Sequence, residues 1–248
     1  MDKVKVKVSS FVLDILENDA IRFGFVKNGK PNRNALLNKL IPTLVEARKE
    51  RRDNIEKILV NEYNREDSEN IYNVVNTVID RVYFNDEELD FLSESIWIRP
   101  NKTSMATFEE IQNSEIYITA QEMSVYIRGL LNEYARFPQY KREVLVFDRE
   151  LDIFSDACFT QRILHFTDAA TGEKYRAFAV SYFYGYLYDQ TNYCVIFDIK
   201  SSKIKSICLH RLSDMYIIKQ KYKPSQELQK KLQSYVNSYS FNDEVEVI

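Results

Sequence analysis

Glycine is scarce in this chain, and its few positions exclude the common phosphate-binding loops. The 248 residues contain five glycines: Gly24, Gly29, Gly129, Gly172 and Gly185. Neither GxGxxG nor GxxxxGK[ST] can be written from these positions, since the run from Gly24 to Lys30 is followed by Pro31 where the second motif needs Ser or Thr. The sequence therefore argues against a nucleotide-dependent enzyme of the common kinds.

Residues that usually carry catalysis or bind metals are also few. His165 and His210 are the only histidines, and neither lies in a motif typical of a metal site or a catalytic triad. The cysteines show no CxxC spacing, so we expect reduced, mostly buried thiols at Cys158, Cys194 and Cys208. We predict that the protein is not an enzyme, with no catalytic residues, no metal site and no cofactor.

Long apolar runs are absent as well, while the charge is unevenly spread. No run approaches the length of a membrane span and no signal peptide opens the chain, so we expect a cytoplasmic protein without a membrane partner. Residues 1–60 carry 13 Lys/Arg against 8 Asp/Glu, whereas residues 61–100 carry 3 against 10. A basic N-terminal segment indicates contact with a polyanion, unless its cations merely solvate helix faces.

Tyrosine, by contrast, is abundant, and residues 181–188 read Ser-Tyr-Phe-Tyr-Gly-Tyr-Leu-Tyr. In a β-strand the four phenols would share one face, because successive side chains point to opposite faces. Tyrosine rings can pack, form hydrogen bonds and stack on nucleobases. A bulge at Gly185 would break the alternation, so the stacking hypothesis rests mainly on Tyr182, Tyr184 and, beyond the next turn, Tyr193.

The N-terminal 48 residues predict a strand, a helix, a turn and a second helix. Lysine and valine alternate over residues 3–8, which predicts a strand with valines inward and lysines outward. Ser9 or Ser10 can cap a helix that runs to about Phe23. After a turn over residues 26–31, a helix begins near Asn32 or Asn34, and Pro42 is expected to kink or restart it.

This order resembles a ribbon-helix-helix module. The resemblance implies that the strand pairs with its copy in a second chain, which predicts a homodimer whose ribbon enters the major groove. By position it assigns nucleic-acid contacts to Lys3, Lys5, Lys7, Asn32, Arg33 and Asn34. Three lysines favour phosphate attraction over base readout. An alternative is that the module only dimerises.

Residues 49–139 predict a mainly helical connecting region, with a strand near residues 95–100 and Trp97 in the core. From about residue 143 the pattern turns to short strands and tight turns, at 162–166, 175–180, 193–197, 204–210 and 215–219. Such strands suit a small SH3-like or Sm-like β-barrel, followed by a helix after Pro224. The predicted fold class is therefore α+β, with parts at 1–48, 49–139 and 140–248.

The strand order of residues 140–218 resembles the WYL domain. Ser181-Tyr182-Phe183-Tyr184 stands at its second strand, Asn192-Tyr193-Cys194 at the motif that names it, and Cys208-Leu209-His210-Arg211-Leu212 at its closing element. The resemblance implies a ligand or nucleic-acid surface made by Arg142, Arg162, Ser181, Tyr182, Tyr184, Tyr193 and Arg211. One family arginine is replaced by Cys208, which removes a bidentate donor for an anionic ligand.

A ribbon-helix-helix start joined to such a domain, with the segments 126–134 and 137–143 between, is similar to the WYL accessory proteins of type VI-D CRISPR systems. That similarity implies a single-stranded RNA-binding dimer that enhances an RNA-guided ribonuclease. One alternative is a DNA-binding transcriptional regulator that senses an effector through its WYL domain. Another is a scaffolding dimer whose acidic stretch, residues 61–100, contacts a basic protein.

Overall fold

Helices and antiparallel sheets make up both units of this chain, which confirms the α+β prediction. The computed structural model describes residues 3–62, 74–75, 93–113, 123–185, 190–238 and 245–246. Unit 1 spans residues 1–137 and unit 2 spans residues 138–248. The three-part division of the sequence analysis stays a prediction. No helix in the described ranges is long and apolar enough to cross a membrane.

Unit 1 begins with the predicted strand and helices. They are β1 (Val4–Val8), α1 (Ser10–Arg22), the short hairpin strands β2 (Val26–Lys27) and β3 (Lys30–Pro31), and α2 (Arg33–Glu62). Ser9 caps α1, because its Oγ accepts a hydrogen bond from the Val12 amide at 3.3 Å. Asn28 and Gly29 both adopt positive φ angles, which makes the tight turn between β2 and β3.

Pro42 does not end α2, although the sequence predicted a kink or restart there. The helix runs through it as one element of 30 residues. Leu40 and Ile41 before the proline and Leu44 and Val45 after it are all buried, so packing stabilises the helix on both sides of the proline. The predicted restart is therefore wrong, and the kink stays a prediction. The separate helix predicted at 46–60 is part of α2, and the one predicted at 67–82 lies outside the described residues except for Val74 and Val75.

The rest of unit 1 contributes β4 (Glu94–Ile98), α3 (Met105–Asn113) and α4 (Met123–Arg136). β1 pairs antiparallel with β4, with Val6 opposite Ile96. The predicted pairing with a second chain is therefore corrected, because Ile96 and Ile98 extend the buried face of the β1 valines within the same chain. Trp97 was expected in the core, but it lies between these two isoleucines and so points outward, with 50% of its surface exposed.

Unit 2 begins with two helices where the sequence predicted the start of a β-rich section at residues 143–147. They are α5 (Gln139–Val146) and α6 (Asp148–Thr160). Arg142, Glu143 and Val146 of α5 are buried, at the three- and four-residue spacing of one helix face. This helical periodicity is the reason why the strand prediction was wrong.

An antiparallel sheet follows, in the spatial order β10-β8-β7-β6-β5-β9. Its strands are β5 (Arg162–Asp168), β6 (Lys174–Phe183), β7 (Tyr193–Asp198), β8 (Lys203–Cys208), β9 (Leu212–Lys221) and β10 (Val245–Glu246), with a 3₁₀ helix at Leu209–Arg211 and α7 at Gln226–Ser238. Among the described strands, β9 pairs with β5 but not with β8 or β10. The predicted closed barrel is therefore wrong. The sheet is open.

Helices cover both faces of this open sheet. α7 packs Leu228, Leu232 and Tyr235 onto one face, against Phe178 and Val195 among others. α6 packs against β5, β6 and β9. Cys194 is next to Val195 in β7, so its side chain points to the opposite face of the sheet. Cys158 of α6 is close enough to contribute to the raised pKa of the Cys194 thiol, so α6 lies on this second face. Both faces are thereby buried, which explains why an open sheet suffices.

Candidate nucleic-acid interfaces

The outward face of the β1–β4 ribbon carries a row of cations around one aromatic ring. Lys3, Lys5 and Lys7 are exposed while the intervening valines are buried, which confirms the predicted alternation. Trp97 lies directly opposite Lys5. The Lys3 and Lys5 Nζ atoms lie 4.2 and 5.6 Å from the centroid of its ring. These cations can attract phosphate, and the exposed ring can contact a base.

The charge of this ribbon face is of one sign. Arg99 follows Ser95 and Trp97 in the alternation and is exposed like them. The carboxylate of Glu94 belongs to the other side, since Glu94 lies opposite the buried Val8. Within the described part of the ribbon, the outward face therefore carries four cations and no carboxylate. Such a surface favours a polyanion as its ligand.

The residues predicted to bind phosphate at the start of α2 have structural roles. Asn32 caps the helix, accepting a hydrogen bond from the Ala35 amide at 3.2 Å, and Arg33 pairs with Glu17 at 3.2 Å. Asn34 accepts from the Arg99 amide at 2.8 Å and donates to the Arg99 carbonyl at 3.3 Å. Contacts of Asn32, Arg33 and Asn34 with phosphate stay a prediction.

In unit 2, three tyrosines form an edge-to-face cluster near the end of β6. The ring centroids of Tyr182 and Tyr184 are 4.9 Å apart, and those of Tyr140 and Tyr184 are 6.3 Å apart, with both pairs inclined at 78°. Tyr184 is 53% exposed and offers a ring edge or face to solvent. Tyr186 and Tyr188, the rest of the predicted row, lie outside the described residues.

The hydroxyl of Tyr182 is buried and has no hydrogen-bond partner among the described residues. Burial raises the pKa of Tyr182, and Cys194, Tyr184 and Glu143 nearby raise it further. The phenol is therefore neutral and can act as a hydrogen-bond donor at every physiological pH. A buried polar atom without a partner is uncommon in folded proteins.

A β-bulge in β6 decides which face each predicted residue occupies. The register shifts between Ala179 and Ser181, so that Val180 is an extra residue. Ser181 then lies opposite Val195 and Phe183 opposite Tyr193, on the face that α7 covers, while Tyr182 lies opposite Cys194 on the other. Tyr193 and Ser181 are therefore separated from Tyr182 by the thickness of the sheet. The sequence allowed for a bulge at Gly185, five residues away.

Two of the predicted arginines, Arg162 and Arg211, lie at opposite ends of β5. Arg211 binds Asp168 through two hydrogen bonds, from Nε to Oδ1 at 3.0 Å and from Nη2 to Oδ2. Asp168 is the last residue of β5, and Arg162 is exposed at the start of that strand, about 20 Å away at 3.3 Å per residue. Arg142 is 8% exposed on α5. Arg162 and Arg211 therefore do not share one anion site, and binding by Arg142, Arg162 and Arg211 stays a prediction.

The Arg211–Asp168 pair makes stability depend on pH. Burial by itself raises the pKa of Asp168, but the hydrogen bonds and charge of Arg211 and the Ala170 amide outweigh it, so the pKa is lowered. A carboxyl whose pKa is lowered by folding stabilises the fold fully above the unfolded-state value of about 3.9, and this is lost as the pH falls through the folded-state value.

We therefore expect Asp168→Asn to lower the free energy of unfolding by about 2 kcal/mol at pH 6. The difference in unfolding free energy between the two proteins should shrink as the pH falls below about 3.9, because the wild-type carboxyl then takes up a proton on unfolding and, at lower pH still, in the folded state as well. Urea unfolding between pH 6 and pH 2.5 measures it. Asp214→Asn, at an exposed site, is the matched control, and its free energy of unfolding should equal that of wild type at each pH. A difference at pH 2.5 as large as the one at pH 6 would contradict the assignment.

Sequence reasoning missed the buried carboxylate that organises this end of unit 2. Glu143 is 1% exposed. Its Oε2 accepts hydrogen bonds from the backbone amide and side-chain Nδ2 of Asn192, at 2.9 and 2.7 Å. Its Oε1 accepts from the His210 amide at 3.2 Å and lies 2.6 Å from His210 Nδ1. The spacing of Glu143 on an amphipathic helix was the one available signal.

A second exposed ring in unit 2 was also missed. His165 stacks on Tyr216 at 5.0 Å, and Tyr216 is 55% exposed. Arg176 lies directly opposite His165, and together with burial it lowers the pKa of that imidazole. The three side chains come from three strands, so only the pairing of β5 with both β6 and β9 brings them together.

Comparison with known proteins gives a fold likeness. No protein-family model and no curated protein matches the chain. Among the solved structures that match is one described as the crystal structure of a CRISPR Cas-related protein, with a TM-score of 0.67 and 14% sequence identity. The match covers 91% of this chain and 65% of that chain. At this identity the likeness shows a shared fold.

Proposed function

We propose that this protein is a non-enzymatic accessory protein of a CRISPR system, which binds single-stranded RNA and enhances an RNA-guided ribonuclease. The fold likeness to a CRISPR Cas-related protein supports the CRISPR context. The observation that carries RNA binding is the outward row of Lys3, Lys5 and Lys7 beside the exposed Trp97. The proposal includes a ribbon-helix-helix unit 1, a WYL-like unit 2, a homodimer and a cytoplasmic location.

The chemistry of the ribbon favours a single strand. Lysine is a compact point charge that attracts phosphate but reads base edges poorly, since sequence-specific contacts rely on bidentate groups. Exposed aromatic rings such as Trp97 and Tyr184 can stack on unpaired bases, at about 1–3 kcal/mol per base. In a duplex the bases already stack on one another. Phosphate attraction combined with stacking is the mode of proteins that bind single strands.

A DNA-binding regulator is the second candidate. It is favoured by the two-stranded antiparallel ribbon, because β-ribbon readers place such strands in a DNA groove. This candidate predicts tighter binding to a duplex operator than to RNA of the same length. The scaffolding alternative predicts no binding to any nucleic acid.

The test is filter binding of unstructured RNA, single-stranded DNA and duplex DNA at several salt concentrations. We expect Lys5→Glu/Lys7→Glu to weaken RNA binding at least 30-fold and to lower the magnitude of the salt slope by about 1.4, at about 0.7 per lost phosphate contact. The matched control is Lys27→Glu/Lys30→Glu, which makes the same charge change on the exposed β2–β3 hairpin and should change affinity less than threefold.

Each outcome is decisive. Equal losses in both double variants would show that overall charge, and not the ribbon, binds RNA. Tighter binding to duplex DNA would favour the regulator, and no binding below micromolar concentrations at moderate salt would overturn nucleic-acid binding altogether. Added to a CRISPR ribonuclease assay, wild-type protein should raise the cleavage rate and Lys5→Glu/Lys7→Glu should not.

A further inference from the structure

Unit 1 contains a strand followed by two helices twice, and in the first set the short β2–β3 hairpin lies between the helices. β1, α1 and α2 form the first set, and β4, α3 and α4 form the second, among the residues that the structure describes. The two strands pair antiparallel with Val6 opposite Ile96. An antiparallel pair has local two-fold axes between opposed residues, and the axis at the centre of this ladder lies midway between Val6 and Ile96. The two sets therefore begin from symmetry-related strands.

The helices pack crosswise between the two sets. α4 of the second set packs against β1 and α1 of the first, and α2 of the first packs against β4 and α3 of the second. α2 and α4 also contact each other. Each strand is thus covered by the last helix of the other set. Neither set could bury its own strand alone, so the two fold as one body.

Buried hydrogen bonds hold this crosswise packing in both directions. Tyr134 of α4 donates a hydrogen bond to Asp19 of α1 at 2.7 Å. In the other direction, Asn38 of α2 donates to the Arg99 carbonyl at 2.9 Å and accepts from the Asn101 amide at 2.8 Å. The segment directly after Trp97 is therefore held by the first set. This holds the tryptophan in register with the lysines of β1.

The ribbon that results is asymmetric. The two-fold axis relates Lys7 to Trp97 and Lys5 to Ser95, so β1 presents three lysines, whereas β4 presents a hydroxyl, an aromatic ring and, just beyond its end, Arg99. A palindromic duplex presents two identical half-sites and calls for two identical half-ribbons. A single strand has no such symmetry, and it can place phosphates on one half and a base on the other.

We propose that unit 1 is a complete ribbon formed within one chain, in which Trp97 stacks on an unpaired base of single-stranded RNA while Lys3, Lys5 and Lys7 contact its phosphates. This inference rests on the proposed function and names the site that performs it. The four cations, the absence of carboxylates on the described outward face and the 50% exposed ring support RNA as the occupant. The ribbon needs no second copy of the chain.

The first experiment uses the fact that Trp97 is the only tryptophan in the chain. Its emission should be quenched by an unstructured oligouridylate, with the same midpoint as in filter binding. Trp97→Ala should weaken binding about 5- to 100-fold, and Trp97→Phe should restore most of it. Phe159→Ala removes a ring that is 90% exposed on α6 of unit 2 and is the matched control, expected within twofold of wild type.

The second experiment tests the single-chain ribbon. Lys7 lies directly opposite Ser95, so the variant Lys7→Cys/Ser95→Cys should form a disulfide on mild oxidation. We expect a product that migrates as a monomer on a non-reducing gel, with the 7–95 link found by peptide mapping. A disulfide-linked dimer through the same positions would overturn the intrachain ribbon.

The two proposals fail in different ways. If RNA binds without quenching the tryptophan, and Trp97→Ala binds as well as wild type, the stacking site is wrong and the proposed function stands. If no RNA binds, the proposed function fails with it. If duplex DNA quenches the emission at lower concentration than oligouridylate, the ribbon binds duplexes and the single-strand inference is overturned.

Discussion

Glu143→Ala is expected to lower the free energy of unfolding of unit 2 by about 3 kcal/mol, because it removes the acceptor for several buried donors. The carboxylate binds the Asn192 amide and side chain on one oxygen and His210 on the other. Without it, the buried backbone N–H of Asn192 and the partly buried N–H of His210 lose this acceptor. Each such orphaned group costs about 1–3 kcal/mol.

Hydrogen exchange on the full chain measures this effect, since it reports the opening free energy of each segment. Protection should fall for amides of α6 and β7. Glu143→Gln keeps the shape and one acceptor oxygen, so it should lose about half as much. Glu227→Ala is the control, because Glu227 is an exposed residue in the first turn of α7 whose ion pair with Lys231 and helix-dipole interaction should together cost under about 1 kcal/mol.

The same variant bears on the tyrosine cluster. α5 carries both Glu143 and Tyr140, whose ring contacts Tyr184. If Glu143 holds α5 against the segment at Asn192, Glu143→Ala should also change the near-ultraviolet circular dichroism of the tyrosines. An opening free energy equal to that of wild type would show that the carboxylate is dispensable, and would contradict the role assigned to it.

Asn38→Ala is expected to destabilise unit 1 by about 2 kcal/mol and to weaken RNA binding as well. Asn38 is 3% exposed, and its side chain contacts the Asn34 and Arg99 carbonyls, the Asn101 amide and the Ser104 hydroxyl. Asn34 and Ser104 hold Arg99 and Asn101 by further bonds, which limits the loss. The loosened segment follows Trp97 directly, so the ring loses its fixed position.

Asn54→Ala is the matched control for this prediction, since it makes the same chemical change at an exposed site on the same helix. It should leave RNA affinity unchanged and stability within about 0.5 kcal/mol. Chemical denaturation gives the stability and tryptophan quenching gives the affinity. If Asn38→Ala loses stability without any change in RNA affinity, the end of β4 does not position the binding residues.

Local signals in the sequence were reliable wherever the structure is local. The alternation of residues 3–8, the cap at Ser9 and the turn before α2 were all predicted, because each is decided by side chains within a few residues. The helix at residues 139–146 was the main failure of this kind. Its short apolar run reads as a strand as readily as a helix, and only burial of its Glu143 face distinguishes the two.

Strand partners were not predictable in the same way. The partner of β1 comes from about 90 residues later in the chain, and the acidic stretch between them gave no signal of it. Pairing is decided by which apolar faces bury each other, and this is a property of the whole unit. For this reason β1 pairs with β4 of its own chain and not, as the sequence predicted, with a second chain. A homodimer stays a prediction.

The sequence by itself determined that this protein has a basic, lysine-lined strand at one end, tyrosine-rich strands at the other and none of the common nucleotide-binding motifs. The tertiary structure decided which of those residues share a surface. The bulge at Val180 separates Tyr182 from Tyr193, Asp168 engages Arg211, and β4 brings Trp97 to Lys5. Spacing along a chain fixes the direction of a side chain only relative to its neighbours, whereas a surface depends on distant strands whose register is set by packing.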